Sequence, residues 1–126
     1  MANTTADLIL LVDDDATGRS IRKAILEMHG HRVADAGEAQ LALRTLASEP
    51  VRLVILDYFL NDTTGVALAK EMRQVKPEVP ILLLSASGDV PEGTEYADAY
   101  LSKMEPVAVV EEKILALLRQ GRQQAP

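Results

Sequence analysis

Three short, uninterrupted apolar runs constrain the fold of this sequence more than any other feature. They are LILLV at residues 8–12, LVIL at 53–56 and ILLL at 81–84. None of them alternates apolar with polar residues, and runs of this length bounded by polar clusters are typical of strands that are buried on both faces. The sequence therefore predicts a sheet that is covered by other elements on both sides.

Segments with helical periodicity separate these runs. Apolar residues recur three and four positions apart in four segments, each of which is bounded by a glycine or a proline. The four stripes are Ile21, Ala24, Ile25 and Met28, ended by Gly30; Ala39, Ala42, Leu43 and Leu46, ended before Pro50; Leu68, Met72 and Val75, ended by Pro77; and Val107, Val110, Ile114 and Leu117, after Pro106. Weaker strands fit at residues 31–36 and 99–102.

The alternation of strands and helices predicts an α/β fold. Parallel neighbouring strands need crossover connections, and these are right-handed. Five strands then favour a doubly wound, flavodoxin-like parallel sheet of order 2-1-3-4-5, in which ligands bind at the carboxyl ends of the strands near the switch between strands one and three. We expect one domain at residues 8–118, with a flexible N-terminus at 1–7 and a flexible polar tail at 119–126.

Polar residues follow the predicted strands at this edge. Asp13, Asp14 and Asp15 follow strand one, Asp57 strand three, Ser85 strand four, and Ser102 and Lys103 strand five. Facing carboxylates repel one another unless a cation neutralises them, and Mg²⁺ prefers oxygen ligands. A lysine and a hydroxyl opposite such an ion would complete a cradle for a phosphoryl group.

Composition excludes several other kinds of function. The 126 residues include no cysteine, which rules out disulfides, a thiolate nucleophile and cysteine-based zinc sites. The net charge of −6 and the presence of only four aromatic residues argue against direct nucleic-acid binding. The start of the chain does not resemble a signal peptide, and no apolar run is long enough to span a membrane, so we expect a cytoplasmic protein without a membrane partner.

The segments LILLVDDD, LVILDYFL, GVALAKEMR, PILLLSAS and DAYLSKMEP resemble the receiver domains of two-component response regulators, the chemotaxis-regulator-like family. An acidic pair, a lone aspartate, a serine before alanine and a lysine occur in order, each closing an apolar run. The resemblance covers almost the whole chain and suggests the stand-alone, single-domain type. It implies a signalling phosphoacceptor rather than an enzyme, with chemistry limited to Mg²⁺-dependent self-phosphorylation and self-dephosphorylation.

The resemblance also implies a role for each site residue. Asp57 would take the phosphoryl group from a histidine kinase or a histidine phosphotransfer protein. The implied Mg²⁺ ligands are Asp13, Asp14, Asp57 and the backbone carbonyl of Phe59; the implied phosphoryl-binding residues are Ser85 and Lys103; the implied switch residues are Ser85 and Tyr100; and Ala86 and Ser87 border the site. The phosphorylated form would act on a downstream protein target, with a homodimer as a further partner.

Several positions depart from the family pattern. Met104 follows Lys103 where the family usually has a cis proline, and since a non-proline cis bond costs about 2.5–4 kcal/mol we expect this bond to be trans. The loop after Asp57 lacks the usual proline, so we expect it to be more mobile. Gly88, Pro91 and Gly93 disfavour a helix before strand five, which predicts a shortened or missing fourth helix and at most a short turn near residues 92–97.

Other interpretations stay open at this point. The chain could be a phosphorelay intermediate, or a pseudo-receiver that binds proteins without phosphorylation. An aspartyl-phosphate phosphatase would need an acid where Phe59 stands, and we expect Phe59 instead to screen an acyl phosphate from water and slow its loss. Asp15 is interpreted as a helix cap, and His29 and His31 as surface residues.

Overall fold

A five-stranded parallel sheet forms the centre of the molecule in a computed structural model, which describes residues 7–61, 63–86 and 94–124. The strands are β1 (Leu8–Val12), β2 (Arg32–Ala36), β3 (Val51–Asp57), β4 (Ile81–Ser85) and β5 (Ala99–Ser102). Their order is β2-β1-β3-β4-β5, and every neighbouring pair is parallel. The predicted topology is confirmed, and it places β1 beside β3, where the chain changes direction across the sheet.

Four α-helices connect and cover the strands within the described residues. They are α1 (Ala16–Met28), α2 (Ala39–Ser48), α3 (Gly65–Val75) and α4 (Val107–Gln124). The described part of the connection between β4 and β5 contains a 3-10 turn at Thr94–Tyr96 and no α-helix. This agrees with the expectation of a shortened or missing fourth helix. Residues 87–93 of that connection, including Gly88, Pro91 and Gly93, lie outside the described residues.

The core has two layers, one on each face of the sheet. On β1 alternate side chains point to opposite faces. Leu10 packs with Leu68 and Met72 in the layer beneath α2 and α3. Ile9 packs in the other layer, beneath α1 and α4, with Ile114. Because β1 and the segments 53–56 of β3 and 81–84 of β4 are buried on both faces, they read as unbroken apolar runs.

The junction between α1 and β2 follows the prediction at Gly30 and departs from it at His31. Gly30 has φ +90°, a left-handed conformation that a glycine adopts without strain, and α1 ends beside it. His29 is exposed as predicted. The interpretation of His31 as a surface residue is wrong: its side chain is only 9% exposed, and Nε2 lies 2.8 Å from a carboxylate oxygen of Glu111 on α4.

The last helix is longer than the apolar pattern indicates. It runs to Gln124, so the backbone is helical at positions 119–124, which the sequence assigns to a polar tail. The flexibility expected of residues 1–7 and 119–126 stays a prediction. None of the described helices is long and apolar enough to cross a membrane.

Candidate functional site

Three carboxylates meet at the carboxyl edge of the sheet. Val12 and Leu56 are paired in the register of β1 and β3, so the residues that follow them, Asp13 and Asp57, are neighbours. One carboxylate oxygen from each of Asp13, Asp14 and Asp57 lies within 4.8 Å of the others. Asp13 is 5% exposed and Asp57 9%. The structure thus brings together the three acids that the sequence singled out.

Lys103 joins this acidic cluster from the end of β5. Its Nζ donates to Asp57 Oδ2 at 2.8 Å and lies 3.6 Å from Asp13 Oδ2. One ammonium group among three carboxylates leaves a formal charge of −2 when all four groups are ionised. A divalent cation would balance that charge.

Burial and neighbouring charges shift the pKa of Asp57. Removal from water raises the pKa of its carboxyl above the ordinary value of 3.8, the hydrogen bond and charge of Lys103 oppose this, and the charges of Asp13 and Asp14 raise it further. The carboxylate is therefore held at an electrostatic cost beside two like charges. A cluster with only oxygen donors and an unbalanced negative charge fits a hard ion such as Mg²⁺.

Ser85 and Tyr100 lie on the two strands beyond β3. Asp57 is paired with Leu84, so Ser85 stands one residue further along β4, and it is buried. Tyr100, in β5, is paired with Leu83 of β4 and is half-buried against the core layer under α3. Ala86 is exposed directly after β4. Ser87, the other residue expected to border the site, lies outside the described residues.

The loop between β3 and α3 is closed by a bridge between Phe59 and Thr64 and by a bond from the Leu60 amide to the Thr63 carbonyl at 3.1 Å. Phe59 is 65% exposed, and its ring meets that of Tyr58 edge-on, with 4.6 Å between ring centroids. Its screening of an acyl phosphate stays a prediction. Thr64 caps α3, since its Oγ1 accepts a hydrogen bond from the Ala67 amide at 3.1 Å.

Sequence reasoning missed the part that Gly65 has in the site. A Cβ at this position would lie 2.4 Å from the Asp57 carbonyl oxygen and 2.9 Å from the Tyr58 Cα. The Gly65 amide donates to the Tyr58 carbonyl at 2.6 Å. Only a glycine allows α3 to begin this close to the end of β3. The sequence signal that could have indicated this role is a glycine just before the apolar stripe of Leu68, Met72 and Val75.

The loop between β5 and α4 reaches its shape without a cis proline. The peptide bond between Lys103 and Met104 is trans, as predicted. Ser102 turns the chain, because its Oγ accepts a hydrogen bond from the Met104 amide at 3.0 Å and its carbonyl accepts one from the Glu105 amide at 3.1 Å. The Lys103 ammonium therefore reaches Asp57 from a loop that differs from the family pattern.

Two further residues near the acids add to the sequence analysis: Asp15 lacks the contact expected of it, and Arg19 makes a contact for which there was no expectation. Asp15 occupies the N-cap position of α1, but its side chain makes no capping hydrogen bond. Arg19, which sequence reasoning did not single out, donates from Nη1 to the Asp13 carbonyl at 2.7 Å. No short motif connects Arg19 with the acids, so the sequence offered no signal for this contact.

The arrangement agrees with comparisons to known proteins. The family model of the response regulator receiver domain matches residues 9–114. The chain belongs to this receiver domain family. It is 34% identical over 125 residues to the probable transcriptional regulator ycf27 of Guillardia theta, and 33% identical over 122 residues to the alkaline phosphatase synthesis transcriptional regulatory protein PhoP of Bacillus subtilis.

These receiver relatives are longer proteins. The alignments cover 96% and 94% of this chain but 49% and 51% of the two relatives, so the chain spans about half the length of the curated relatives it matches. The relatives are transcriptional regulators by name, and the expectation of no direct nucleic-acid binding concerns this receiver chain alone. The stand-alone type stays a prediction.

Solved receiver structures have the same fold. A CheY-like response regulator receiver domain protein from Methanospirillum hungatei is 26% identical and has a TM-score of 0.88, with 96% of this chain and all of that chain covered. The response regulator TrrA from Thermotoga maritima, solved in complex with Mg²⁺-BeF, is 30% identical and has a TM-score of 0.82, with 88% and 98% covered.

Proposed function

We propose that Asp57 accepts a phosphoryl group from a phosphohistidine of a histidine kinase or a histidine phosphotransfer protein, and that phosphorylation switches binding to a downstream protein. The observation that carries this proposal is the contact of 2.8 Å between Lys103 Nζ and Asp57 Oδ2 inside a cluster of three carboxylates. An ordinary structural ion pair would not need two further buried or half-buried acids beside it.

The proposed reaction is a direct transfer. A carboxylate oxygen of Asp57 attacks phosphorus, and the new O–P bond forms as the P–N bond to the donor imidazole breaks. The imidazole takes up a proton from solvent, and the product is an acyl phosphate. Lys103 and the Ser85 hydroxyl bind phosphoryl oxygens, since transfer of this kind depends on positioning and charge neutralisation. Asp13, Asp14, Asp57 and the Phe59 carbonyl would hold Mg²⁺, which would supply further charge neutralisation.

Exposed apolar surface around the site supports a protein as the phosphoryl donor. Met104, in the loop that carries Lys103, is 82% exposed, and Phe59 is also largely exposed. A groove of about 250 Å³ lies between α1 and α4, and Ile21 and Val107 are among its lining residues. Apolar side chains that rim a polar site are typical of protein interaction surfaces.

We infer that the output is a change in the packing of Tyr100 that follows movement of Ser85 toward the phosphoryl group. Tyr100 lies on the strand that ends before Lys103 and contacts the core layer shared with α3. Two packings of one strand would carry the signal to a partner, to a second copy of the chain or to a second histidine protein in a relay. The pseudo-receiver alternative has no support, because the acidic cluster and Lys103 are both retained.

Intact mass measurement after incubation with acetyl phosphate and Mg²⁺ tests the proposal. We expect a mass gain of one phosphoryl group that is lost in Asp57→Asn. Asp15→Asn is the matched control, because Asp15 directly follows Asp14 in the sequence but is not part of the three-acid cluster. This variant should still form the adduct. Absence of an adduct with both acetyl phosphate and a phosphohistidine protein donor would overturn the proposal.

A further inference from the structure

Arg19 of α1 connects the ends of two strands near the acidic cluster. Its Nη1 donates to the Asp13 carbonyl, which follows β1, at 2.7 Å, and its Nε donates to Oδ2 of Asp35, in β2, at 2.8 Å. A guanidinium is planar, so two hydrogen bonds from different nitrogens fix its orientation. The Arg19 side chain is therefore held between a metal-site acid and a second carboxylate outside the site.

The bond to the Asp13 carbonyl fixes more than one residue. The Asp13 amide donates to the Ala36 carbonyl at 3.2 Å, and Asp13 Oδ1 accepts a hydrogen bond from the Asp15 amide at 3.0 Å. With Arg19 on its carbonyl, Asp13 is held at its amide, carbonyl and carboxylate. Because a peptide unit is planar, the orientation of the Asp13 carbonyl also sets the direction in which Asp14 leaves β1.

Asp35 holds Arg19 in this position. Lys23 Nζ binds the other Asp35 oxygen at 3.0 Å. Partial burial raises the pKa of Asp35, but the hydrogen bonds and charges of Lys23 and Arg19 outweigh it and leave the pKa below the ordinary value of 3.8. Asp35 is therefore ionised at neutral pH and balances the charge of Arg19, whose Nη1 contacts the carbonyl of Asp13.

Gly37 shows that the space around the guanidinium is closely filled. A Cβ at Gly37 would lie 2.7 Å from Arg19 Nη1 and 3.3 Å from Arg19 Cζ. The backbone after β2 thus packs directly against the group that holds the Asp13 carbonyl. This contact restricts the guanidinium independently of its hydrogen bonds.

We propose that Arg19 and Asp35 are positioning residues for the metal site: Arg19 holds the peptide between Asp13 and Asp14 so that both carboxylates face Asp57, and Asp35 holds Arg19. The inference rests on the proposed function, because the metal is the one required for transfer to Asp57. Loss of residues that orient metal ligands typically weakens metal affinity by about 10–100-fold.

Binding of Mn²⁺ to the full chain, followed by the electron paramagnetic resonance signal of the free ion, tests this inference. We expect Arg19→Met to weaken Mn²⁺ binding by about tenfold or more, and Asp35→Asn to weaken it by a smaller factor. Lys23→Met is the matched control, because Lys23 also binds Asp35 but does not contact Asp13. This control should change the Kd by less than about twofold, because the Lys23–Asp35 ion pair is partly solvated and makes no contact with Asp13.

Phosphorylation kinetics separate positioning from a general structural role. At saturating Mg²⁺ we expect Arg19→Met to be phosphorylated by acetyl phosphate at close to the wild-type rate, with the defect confined to the Mg²⁺ concentration needed. A variant with a lower melting temperature and an unchanged Kd would overturn the inference.

Two variants cover the case in which Arg19→Met fails to fold. Arg19→Lys keeps the charge but loses the rigid pair of donors, and Asp35→Asn removes the support, so unchanged Kd values in both would also overturn the inference. Wild-type protein that binds Mn²⁺ without becoming phosphorylated would instead refute the proposed function, and the Kd comparison would still decide the role of Arg19.

Discussion

At the scale of single residues, Asp57 and Asp35 are two carboxylates whose environments shift their pKa values in opposite directions. Burial beside Asp13 and Asp14 raises the pKa of Asp57, whereas Lys23 and Arg19 lower that of Asp35 despite its partial burial. The first is kept at a cost in stability and the second contributes to stability. Carboxyl groups with a raised pKa are more frequent at functional sites, whereas ion-paired carboxylates such as Asp35 are typical of structural contacts.

These shifts predict opposite effects on stability as pH changes. Because the folded-state pKa of Asp57 is raised, Asp57→Asn should be more stable than wild type at neutral pH without divalent cations, and the difference should shrink as pH falls through that raised pKa. Asp35→Asn should be less stable by about 1 kcal/mol at neutral pH, and this loss should disappear below pH 3.8, as pH falls through the lowered pKa. Urea unfolding at several pH values measures both differences, and equal signs for the two variants would contradict the prediction.

The residues that sequence could identify differ from those it missed in how they act. The residues that sequence could identify have charged side chains at the carboxyl ends of strands, so their positions follow from the strand pattern; they include Asp13, Asp57 and Lys103. Gly65 and Arg19 act on backbone atoms of other elements, and which backbone atoms they meet depends on packing. No spacing rule in one sequence reports such contacts.

At the scale of elements, Arg73 connects α3 to the segment around the 3-10 turn. It donates from Nε to the Tyr96 carbonyl at 3.0 Å, from Nη1 to the carbonyls of Pro77 at 3.0 Å and Val79 at 3.3 Å, and from Nη2 to the Asp98 carboxylate. Asp98 in turn accepts a hydrogen bond from the first amide of β4 at 2.8 Å. The Arg73 side chain thus connects α3 to the segments that precede β4 and β5, in a region where the described residues contain no crossover α-helix.

Removal of this connection should destabilise the domain. We expect Arg73→Met to lower the free energy of unfolding by about 2–3 kcal/mol, because the Asp98 carboxylate and three carbonyls lose a charged donor. Lys70→Met is the control from the same helix: its Nζ lies 5.8 Å from the centroid of the Tyr96 ring, and its loss should cost at most about 1 kcal/mol. Equal urea midpoints for the two variants would contradict a special role for Arg73.

The sequence pattern predicted the strands and helices well, because burial on two faces gives unbroken apolar runs in the strands and burial of one stripe gives helical periodicity. The same pattern placed the end of the last helix at 118 because apolar residues stop there, but α4 continues to Gln124. Polar residues continue a helix when backbone hydrogen bonding alone is sufficient, and apolar periodicity does not report this. The Glu111 partner of His31 was missed because 80 residues separate the pair.

At the scale of the whole molecule, three of the 19 acidic residues of a chain with a net charge of −6 meet at one edge of the sheet. Asp13, Asp14 and Asp57 face one another there, and Lys103 balances only one of them. The repulsion among these carboxylates therefore lowers the free energy of unfolding when no cation is bound. The packing of the two core layers offsets this cost. Binding of one divalent cation at this edge should stabilise the complete fold, because the three acids lie on elements that are brought together only by folding.

This linkage predicts a rise in melting temperature with Mg²⁺. At a concentration about a hundredfold above Kd, binding adds roughly 2.7 kcal/mol to the free energy of unfolding, and for a domain of this size each kcal/mol raises the melting temperature by about 4 °C. Calorimetry should therefore show a shift of about 10 °C in wild type and a much smaller one in Asp14→Asn. Sodium chloride at the same ionic strength separates specific binding from screening of repulsion, because screening acts without a site. An equal rise in melting temperature with both salts would show that the acidic cluster does not bind Mg²⁺ specifically and that the ions only screen its repulsion.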